Sequence, residues 1–297
     1  MLLAVAVAAM ASSVVFLRFS TLTPGEISAW RMLLGALCFL PFVGNGWRGL
    51  TRGAWARAVL AGLILGLHFV TWVMGARSTS AANASLLVNL VPLVLPFLLL
   101  VLAGEAIRRR DWTGSAFGLT GVLVLVGGNL SLQGTWRGDL ICLGSMVLLA
   151  IYIALSRRAA GLFPGTSAWV VPVFLVSALT CYACHVLAGN AVHWPPAGEW
   201  QWIVLLVVCP TLLGHGLMAR SLRFWRGQVV GVANGGQFLF AGIYGWFAFG
   251  ELPSLLFPLG AVLILCGVWL VAAQGRGDAD PQPARSPEEK PEEQAHQ

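Results

Sequence analysis

The sequence has very little charge for its length. Only 10% of its 297 residues are charged, 58% are hydrophobic, and the mean hydropathy is +0.79. Soluble domains carry about a quarter charged residues, so this composition excludes a soluble domain. Apolar runs of roughly 20 residues suit helices that cross about 30 Å of hydrocarbon, and the alternation of a barrel strand is lacking. The sequence predicts an all-α integral membrane protein whose first partner is the lipid bilayer.

Catalytic signatures are lacking as well. The sequence has no metal-spaced His/Asp cluster, no nucleophile with a placed base and no phosphate loop, so we predict that it is not an enzyme and holds no cofactor or metal. Its six Cys are scattered through apolar runs, as small buried side chains are. The run Cys181-Tyr-Ala-Cys184-His185 has the spacing of a c-type haem attachment, but its apolar surroundings disfavour a haem.

Ten apolar spans can be read between breaks rich in Pro, Gly and charge. They cover residues 2–17, 26–44, 54–75, 83–103, 112–130, 138–155, 168–188, 201–219, 229–249 and 253–273. After Gln274 the composition changes to Asp, Glu, Pro, Gln and Arg. Such a segment cannot bury enough apolar surface to fold, so 275–297 is predicted to be a disordered cytoplasmic tail.

The net charge of +6 would suggest a nucleic-acid partner in a soluble protein, but here the arginines lie mostly in short loops. Cytoplasmic loops collect Lys and Arg, so these residues are better interpreted as topology signals, and no nucleic-acid partner is predicted. With a cytoplasmic amino terminus, the external loops hold only Arg18, Arg77 and Arg137. We therefore predict a multi-pass protein with both termini in the cytoplasm.

The chain contains an internal repeat. A shift of 146 positions aligns five identical pairs, and a shift of one more aligns two histidines, His68 and His215. The five pairs are Arg77/Arg223, Gly104/Gly250, Glu105/Glu251, Gly114/Gly260 and Gly121/Gly267. The halves, 1–130 and 138–273, each have five spans, an odd number, so the second is predicted to be inverted. Two inverted five-helix repeats are the architecture of secondary transporters with a site near the midplane.

Several motifs in order carry a resemblance to a known family. They are Glu26-Ile-Ser-Ala-Trp-Arg31, Asn89-Leu-Val-Pro92, Gly104-Glu105 before Gly114–Gly121, Gly138-Asp139 before Tyr152, Ser156 and Arg157, and Gly250-Glu251 before Gly260–Gly267. Over residues 1–273 the chain resembles the EamA family of the drug/metabolite transporter superfamily. The resemblance implies a bacterial inner-membrane carrier, usually an exporter of small polar metabolites such as amino acids. Asn234-Gly-Gly-Gln237 departs from it, because the Pro often found there is missing.

Polar residues within the spans are the candidate substrate ligands, because an ionisable side chain in hydrocarbon costs about 2.5–3.5 kcal/mol. They are Arg31, His68, Trp72, Asn89, Tyr152, His215, Asn234 and Gln237. Arg31 is expected either to anchor a carboxylate near the outer mouth or to snorkel or pair with Glu26. The two histidines suit substrate contact, proton carriage or interhelical hydrogen bonds.

The remaining candidates are weighed in the same way. Trp72 is one turn after His68 and either shares its polar wall or packs against lipid. The amides and Tyr152 need buried partners, which a substrate can supply. Ser12 and Ser13 line the first span or bond back to its own carbonyls. The paired Glu105 and Glu251 are expected to cap helices at span ends, so no carboxylate is expected at mid-membrane.

The leading interpretation is an exporter of small polar or zwitterionic metabolites that works by alternating access. Its expected substrates are amino acids, amines, or amino-acid-derived compounds such as opine-type metallophores. The alternatives are an importer or a broad drug efflux carrier. Different classes are a non-transport membrane sensor or scaffold and a redox protein. Because the repeat lies within one chain, either a monomer or a homodimer would serve.

Overall fold

The computed structural model describes residues 1–78, 87–88, 90–127, 136–250 and 255–273. Within these ranges the regular structure is entirely helical, which confirms an all-α fold. The first part comprises α1 (Leu2–Ala11), α2 (Ser13–Phe19), α3 (Pro24–Phe39), α4 (Arg52–Ser78), α5 (Val91–Leu98) and α6 (Arg109–Gly127). The second part comprises α7 (Trp136–Ala159), α8 (Thr166–Leu187), α9 (Trp200–Leu206), α10 (Leu217–Ser221), α11 (Gly227–Asn234), α12 (Gln237–Phe249) and α13 (Phe257–Ala272).

Two of these helices continue into π-helices, Leu99–Ala103 after α5 and Val207–Gly216 between α9 and α10. Within the described ranges, five helical segments are long and apolar enough to cross a membrane. They are Leu2–Phe19, Arg52–Ser78, Trp136–Ala159, Thr166–Leu187 and Ala197–Ser221. Val91–Ala103 and Phe257–Ala272 are apolar but shorter. The chain is thus a multi-pass membrane protein, whereas the count of ten spans stays a prediction.

Glycines allow the central helices to approach closely. A Cβ on Gly62 or Gly66 of α4 would lie 2.7 Å from the carbonyl oxygen of Val173, or 2.9 Å from that of Ser177, both on α8. Small residues at such spacing let membrane helices pack backbone to backbone. The main buried core, which includes Leu65, Tyr152 and Phe174, lies along these contacts.

The glycines of the sequence repeat meet each other in space. On α6, a Cβ at Gly114 would lie 2.8 Å from the oxygen of Gly267. A Cβ at Gly121 would lie 2.7 Å from the oxygen of Gly260, so α6 and α13 run antiparallel. Each glycine therefore contacts the repeat counterpart of the other, which is the pattern that a two-fold axis produces.

A second correspondence concerns helix ends. Gly104 and Gly250 both have left-handed backbones, with φ of 68° and 70°. Glycine adopts this conformation without strain and commonly ends helices. The helical segments that they end, Val91–Ala103 and Gln237–Phe249, coincide residue for residue under the 146-position shift. The Gly-Glu motif therefore marks a helix end in both halves. Glu251 itself, like Asn89 and the predicted tail 275–297, lies outside the described residues.

Candidate functional site

A cavity with a volume of about 60 Å³ lies within the bundle. Its wall contains residues from α1, α2, α3, α4, α7, the second π-helix, α11 and α12. Six of the predicted ligands line it, three from each half of the chain. They are Arg31, His68 and Trp72 from the first half and His215, Asn234 and Gln237 from the second.

Arg31 lies in the middle of α3 and is buried. Thr23 caps α3 by accepting a hydrogen bond from the backbone N–H of Glu26, and Pro24 occupies the first turn. Arg31 is then halfway along a 16-residue helix and only 2% exposed. The alternative pairing with Glu26 is absent among the described ion pairs, and the Glu26 carboxylate lies 3.3 Å from Nδ1 of His193 instead.

Two residues that the sequence analysis missed hold Arg31 in place. Its Nε–H donates to Oγ1 of Thr211 at 3.2 Å, and its guanidinium lies 4.4 Å from the ring centroid of Phe69. Thr211 in turn donates to the carbonyl oxygen of Leu206 at 2.7 Å. Pro210, the residue four positions on, has no backbone N–H for an α-helical bond to that carbonyl, and the chain forms a π-helix here, over Val207–Gly216. Pro210 within an apolar span was the available signal for this site.

His68 is bound to α7 by Ser145. Its Nδ1 lies 2.9 Å from the backbone oxygen of Ser145 and 2.9 Å from Oγ, while this hydroxyl donates to the His68 carbonyl at 3.0 Å. A carbonyl oxygen can only accept, so Nδ1 carries the hydrogen and, in a neutral ring, Nε2 is an acceptor. The predicted interhelical hydrogen bond is formed, and the same ring lines the cavity.

His215 differs from its sequence counterpart. It is 4% exposed, its ring packs edge-on against Phe69 with centroids 5.1 Å apart, and its Nδ1 has no hydrogen-bond partner among the described residues. A buried polar atom without a partner is costly unless water or a ligand supplies one. His215 therefore has an unused hydrogen-bonding group beside Arg31 and His68.

The amides and the tyrosine have different placements. Nε2 of Gln237 donates to Oδ1 of Asn234 across the Gly235-Gly236 break between α11 and α12, so the two amides act as one polar patch on the cavity wall. Tyr152 is fully buried in the core and is absent from the described cavity wall. Helical spacing alone did not fix which face of α7 meets the cavity.

The two serines of the first helical segment also differ in their contacts. Ser12 donates to the backbone oxygen of Ala9 at 2.7 Å, whereas Ser13 lines the cavity.

The cysteine pair of the haem-like run packs within the protein. Cys181 is buried and contacts the Gly66 oxygen at 3.4 Å, and Nδ1 of His185 is 2.7 Å from Oγ1 of Thr23. This run thus joins α8 to α4 and to the start of α3.

A group of four charged residues lies at the end of the bundle where the arginine-rich loops gather. Glu105 is 3.3 Å from Arg157 and 3.0 Å from Arg226, and Asp111 binds Arg226 through both oxygens at 2.9 and 2.8 Å. Burial lowers the pKa of Arg226, but its bonds to Asp111 and Glu105 outweigh this and raise it above the ordinary value. We call this group the ionic cluster. It joins the two halves away from the cavity.

Known proteins resemble this chain both in sequence and in fold. The profile of the EamA-like transporter family matches residues 1–127 and 136–273. An uncharacterized transporter of Archaeoglobus fulgidus is 26% identical over 247 residues, which cover 82% of this chain and 84% of that protein. The uncharacterized transporter YdfC of Bacillus subtilis is 25% identical over 262 residues, covering 83% of this chain and 81% of YdfC.

A solved crystal structure has the same fold, with a TM-score of 0.75 at 20% sequence identity. The match covers 92% of this chain and 96% of that one. An all-helical membrane bundle around a polar central cavity is the form of a membrane transporter. The chain belongs to the EamA-like transporter family.

Proposed function

We propose that this protein exports small polar or zwitterionic metabolites across the bacterial inner membrane by alternating access. The central cavity carries the proposal, because six predicted ligands from two distant halves of the sequence meet in it. Isolated polar residues in an apolar helix are costly, and their convergence on one cavity is what a substrate path requires. Amino acids, amines and amino-acid-derived compounds such as opine-type metallophores are the proposed substrate classes.

The architecture supports alternating access. We propose that residues 1–130 and 138–273 are inverted five-helix repeats with both chain termini in the cytoplasm. The reciprocal glycine contacts between α6 and α13 and the coincident helix ends at Gly104 and Gly250 support this symmetry. In such transporters the two halves rock about a fixed central site, which opens to one side at a time.

The test begins with cells. Metabolites in the medium of cells lacking the protein are compared with those of cells overproducing it, with the protein detected in the membrane fraction of the latter. We expect at least one small polar compound to be depleted in the first medium and enriched in the second. The purified full chain in liposomes should then release that compound, whereas protein-free liposomes should retain it. Equal media from both strains would contradict export.

A further inference from the structure

Arg31 has an uncompensated charge at the cavity wall. The described residues that line the cavity include Arg31, His68 and His215 but no Asp or Glu, and no described acidic side chain pairs with Arg31. A buried charge without a counterion costs several kcal/mol, so cavities rarely keep one without use. Arg31 is thus the one permanently charged side chain among the described residues of the wall.

The guanidinium is also fixed in orientation. Thr211 occupies its Nε–H and Phe69 covers one face of the plane. The one hydrogen bond that the Arg31 side chain makes to the described residues is that of Nε, so neither Nη atom has a described partner. The two Nη groups at the end of the guanidinium are therefore available to bind a ligand. That pair matches the two oxygens of a carboxylate in a bidentate contact.

We infer that the substrate of this cavity carries one carboxylate, which binds the Nη groups of Arg31, and that amines without an anionic group are excluded. This inference rests on the proposed carrier function and narrows its substrate class. A single positive charge is balanced by a single negative charge, so a monocarboxylate or a zwitterion fits. An amine without a carboxylate, by contrast, would bring its positive charge to Arg31 with no described carboxylate on the wall to offset the repulsion. The unpartnered Nδ1 of His215 is a further polar contact for the same ligand.

Two matched ligand sets, built on alanine and on leucine, test the inference with the purified full chain. Each set contains the amino acid, its amide, the corresponding amine without the carboxyl group, and the acid without the amino group. The thermal unfolding temperature is measured with each compound. We expect amino acids or deaminated acids to stabilise the protein and amides and amines to leave it unchanged. Stabilisation by amides or amines equal to that by acids, or none by any acid, would overturn the inference.

Variants locate the effect at Arg31. Arg31→Gln should weaken binding of the stabilising acids about 10- to 100-fold, the range for losing a charge-assisted bidentate bond. Arg48→Gln makes the same change in an exposed loop and should bind like the wild type. If Arg31→Gln does not fold, Arg31→Lys keeps the charge without the planar fork and should also bind acids more weakly. Wild-type binding by a folded Arg31 variant would overturn the inference.

Transport measurements distinguish a failure of this inference from a failure of the proposed function. Release from liposomes of amines or amides without any anionic group would overturn the carboxylate assignment but leave the carrier intact. Conversely, if no metabolite differs between the two media while acids still stabilise the wild type and not Arg31→Gln, export fails and the carboxylate site stands.

Discussion

At the scale of single residues, the two cavity histidines are matched in sequence but not in bonding. Ser145 binds the His68 ring and its backbone, whereas Nδ1 of His215 has no described partner. A ring that is tied to a neighbouring helix supports both the fold and the cavity. A ring with an unused nitrogen can serve the ligand alone. The two residues should therefore respond differently to the same substitution.

We predict that His68→Ala and His215→Ala both reduce transport, but that His68→Ala destabilises the protein more. Loss of His68 leaves the Ser145 carbonyl and hydroxyl with fewer partners in a buried site, which costs about 1–3 kcal/mol. Transport is measured in liposomes and stability by thermal unfolding of the same preparations. The hypothesis that both rings serve the cavity fails if both variants transport normally at every pH tested.

Sequence reasoning reached part of this site for a physical reason. Polar groups such as Arg31, Asn234 and Gln237 are costly in lipid, so they were expected to face a cavity, and they do line one. Their role in binding stays a prediction. Thr211 and Phe69 escaped notice because threonine and phenylalanine are ordinary in apolar helices. Tyr152 is buried in the core and absent from the described cavity wall, and its substrate contact stays a prediction; a residue's own helix does not decide which face its neighbours cover.

At the scale of helices, Pro210 explains the irregular geometry beside the cavity. It removes a backbone donor from the Val207–Gly216 π-helix, where the Thr211 hydroxyl also donates to the Leu206 carbonyl. π-helical turns widen a helix and often occur at functional sites. Gly214, in the same stretch, lets Met10 of α1 approach, since a Cβ there would be 3.2 Å from the Met10 nitrogen. Pro210 thus lies in the irregular helix whose next residue, Thr211, binds Arg31.

The contact between α6 and α13 offers a matched pair of glycines. At Gly121 an added Cβ would lie 2.7 Å from the Gly260 oxygen, whereas at Gly118 it would make an ordinary 3.4 Å contact with Val232. We predict that Gly121→Ala lowers the free energy of unfolding by about 1–3 kcal/mol through forced separation of the helices. Gly118→Ala should change it little. Denaturation of the two variants measures the difference, and equal stability would refute the close backbone contact.

Helix positions were easier to predict than helix ends. Hydrophobic runs located α4, α7 and α8 because a membrane helix must be apolar over its whole length. The predicted span 26–44 actually begins at Pro24 and gives way to a 3₁₀ turn after Phe39. The span 229–249 is interrupted at Gly235-Gly236. Hydropathy does not register such breaks, since they depend on backbone hydrogen bonds and on contacts with neighbouring helices.

At the scale of the whole molecule, the ionic cluster joins the two halves at the arginine-rich end. Asp111 is 1% exposed and binds Arg226 through both carboxylate oxygens, and Glu105 also accepts from the backbone N–H of Gly227. Ion pairs this buried are screened little by salt, and removal of one partner leaves the other without compensation. The cluster is therefore a firm link between halves that the proposed mechanism requires to move.

We predict that Arg226→Gln destabilises the folded protein by about 3–5 kcal/mol, because Asp111 and Glu105 then lose their main cation. Arg110→Gln, an exposed change beside Asp111 at the start of α6, should cost less than about 1 kcal/mol. Denaturation in detergent at low and at 1 M salt measures both. Equal losses, or a wild type that high salt weakens as much as Arg226→Gln does, would show that the cluster is a surface ion pair.

The proposed inverted arrangement makes the strongest prediction about the molecule as a whole, since five predicted spans in each half, an odd number, would put equivalent loops on opposite sides. Ala106 and Leu255 are exposed and follow the matched glycines Gly104 and Gly250. In a variant with the six natural cysteines replaced, Ala106→Cys should react with an impermeant thiol reagent only from the cytoplasmic side. Leu255→Cys should react only from outside. Arg-rich loops are retained in the cytoplasm, and this determines which of the two cysteines is expected on the cytoplasmic side. Labelling of both cysteines from one side, with permeabilised membranes as the control for reactivity, would rule out inversion and with it the rocking of two opposed halves.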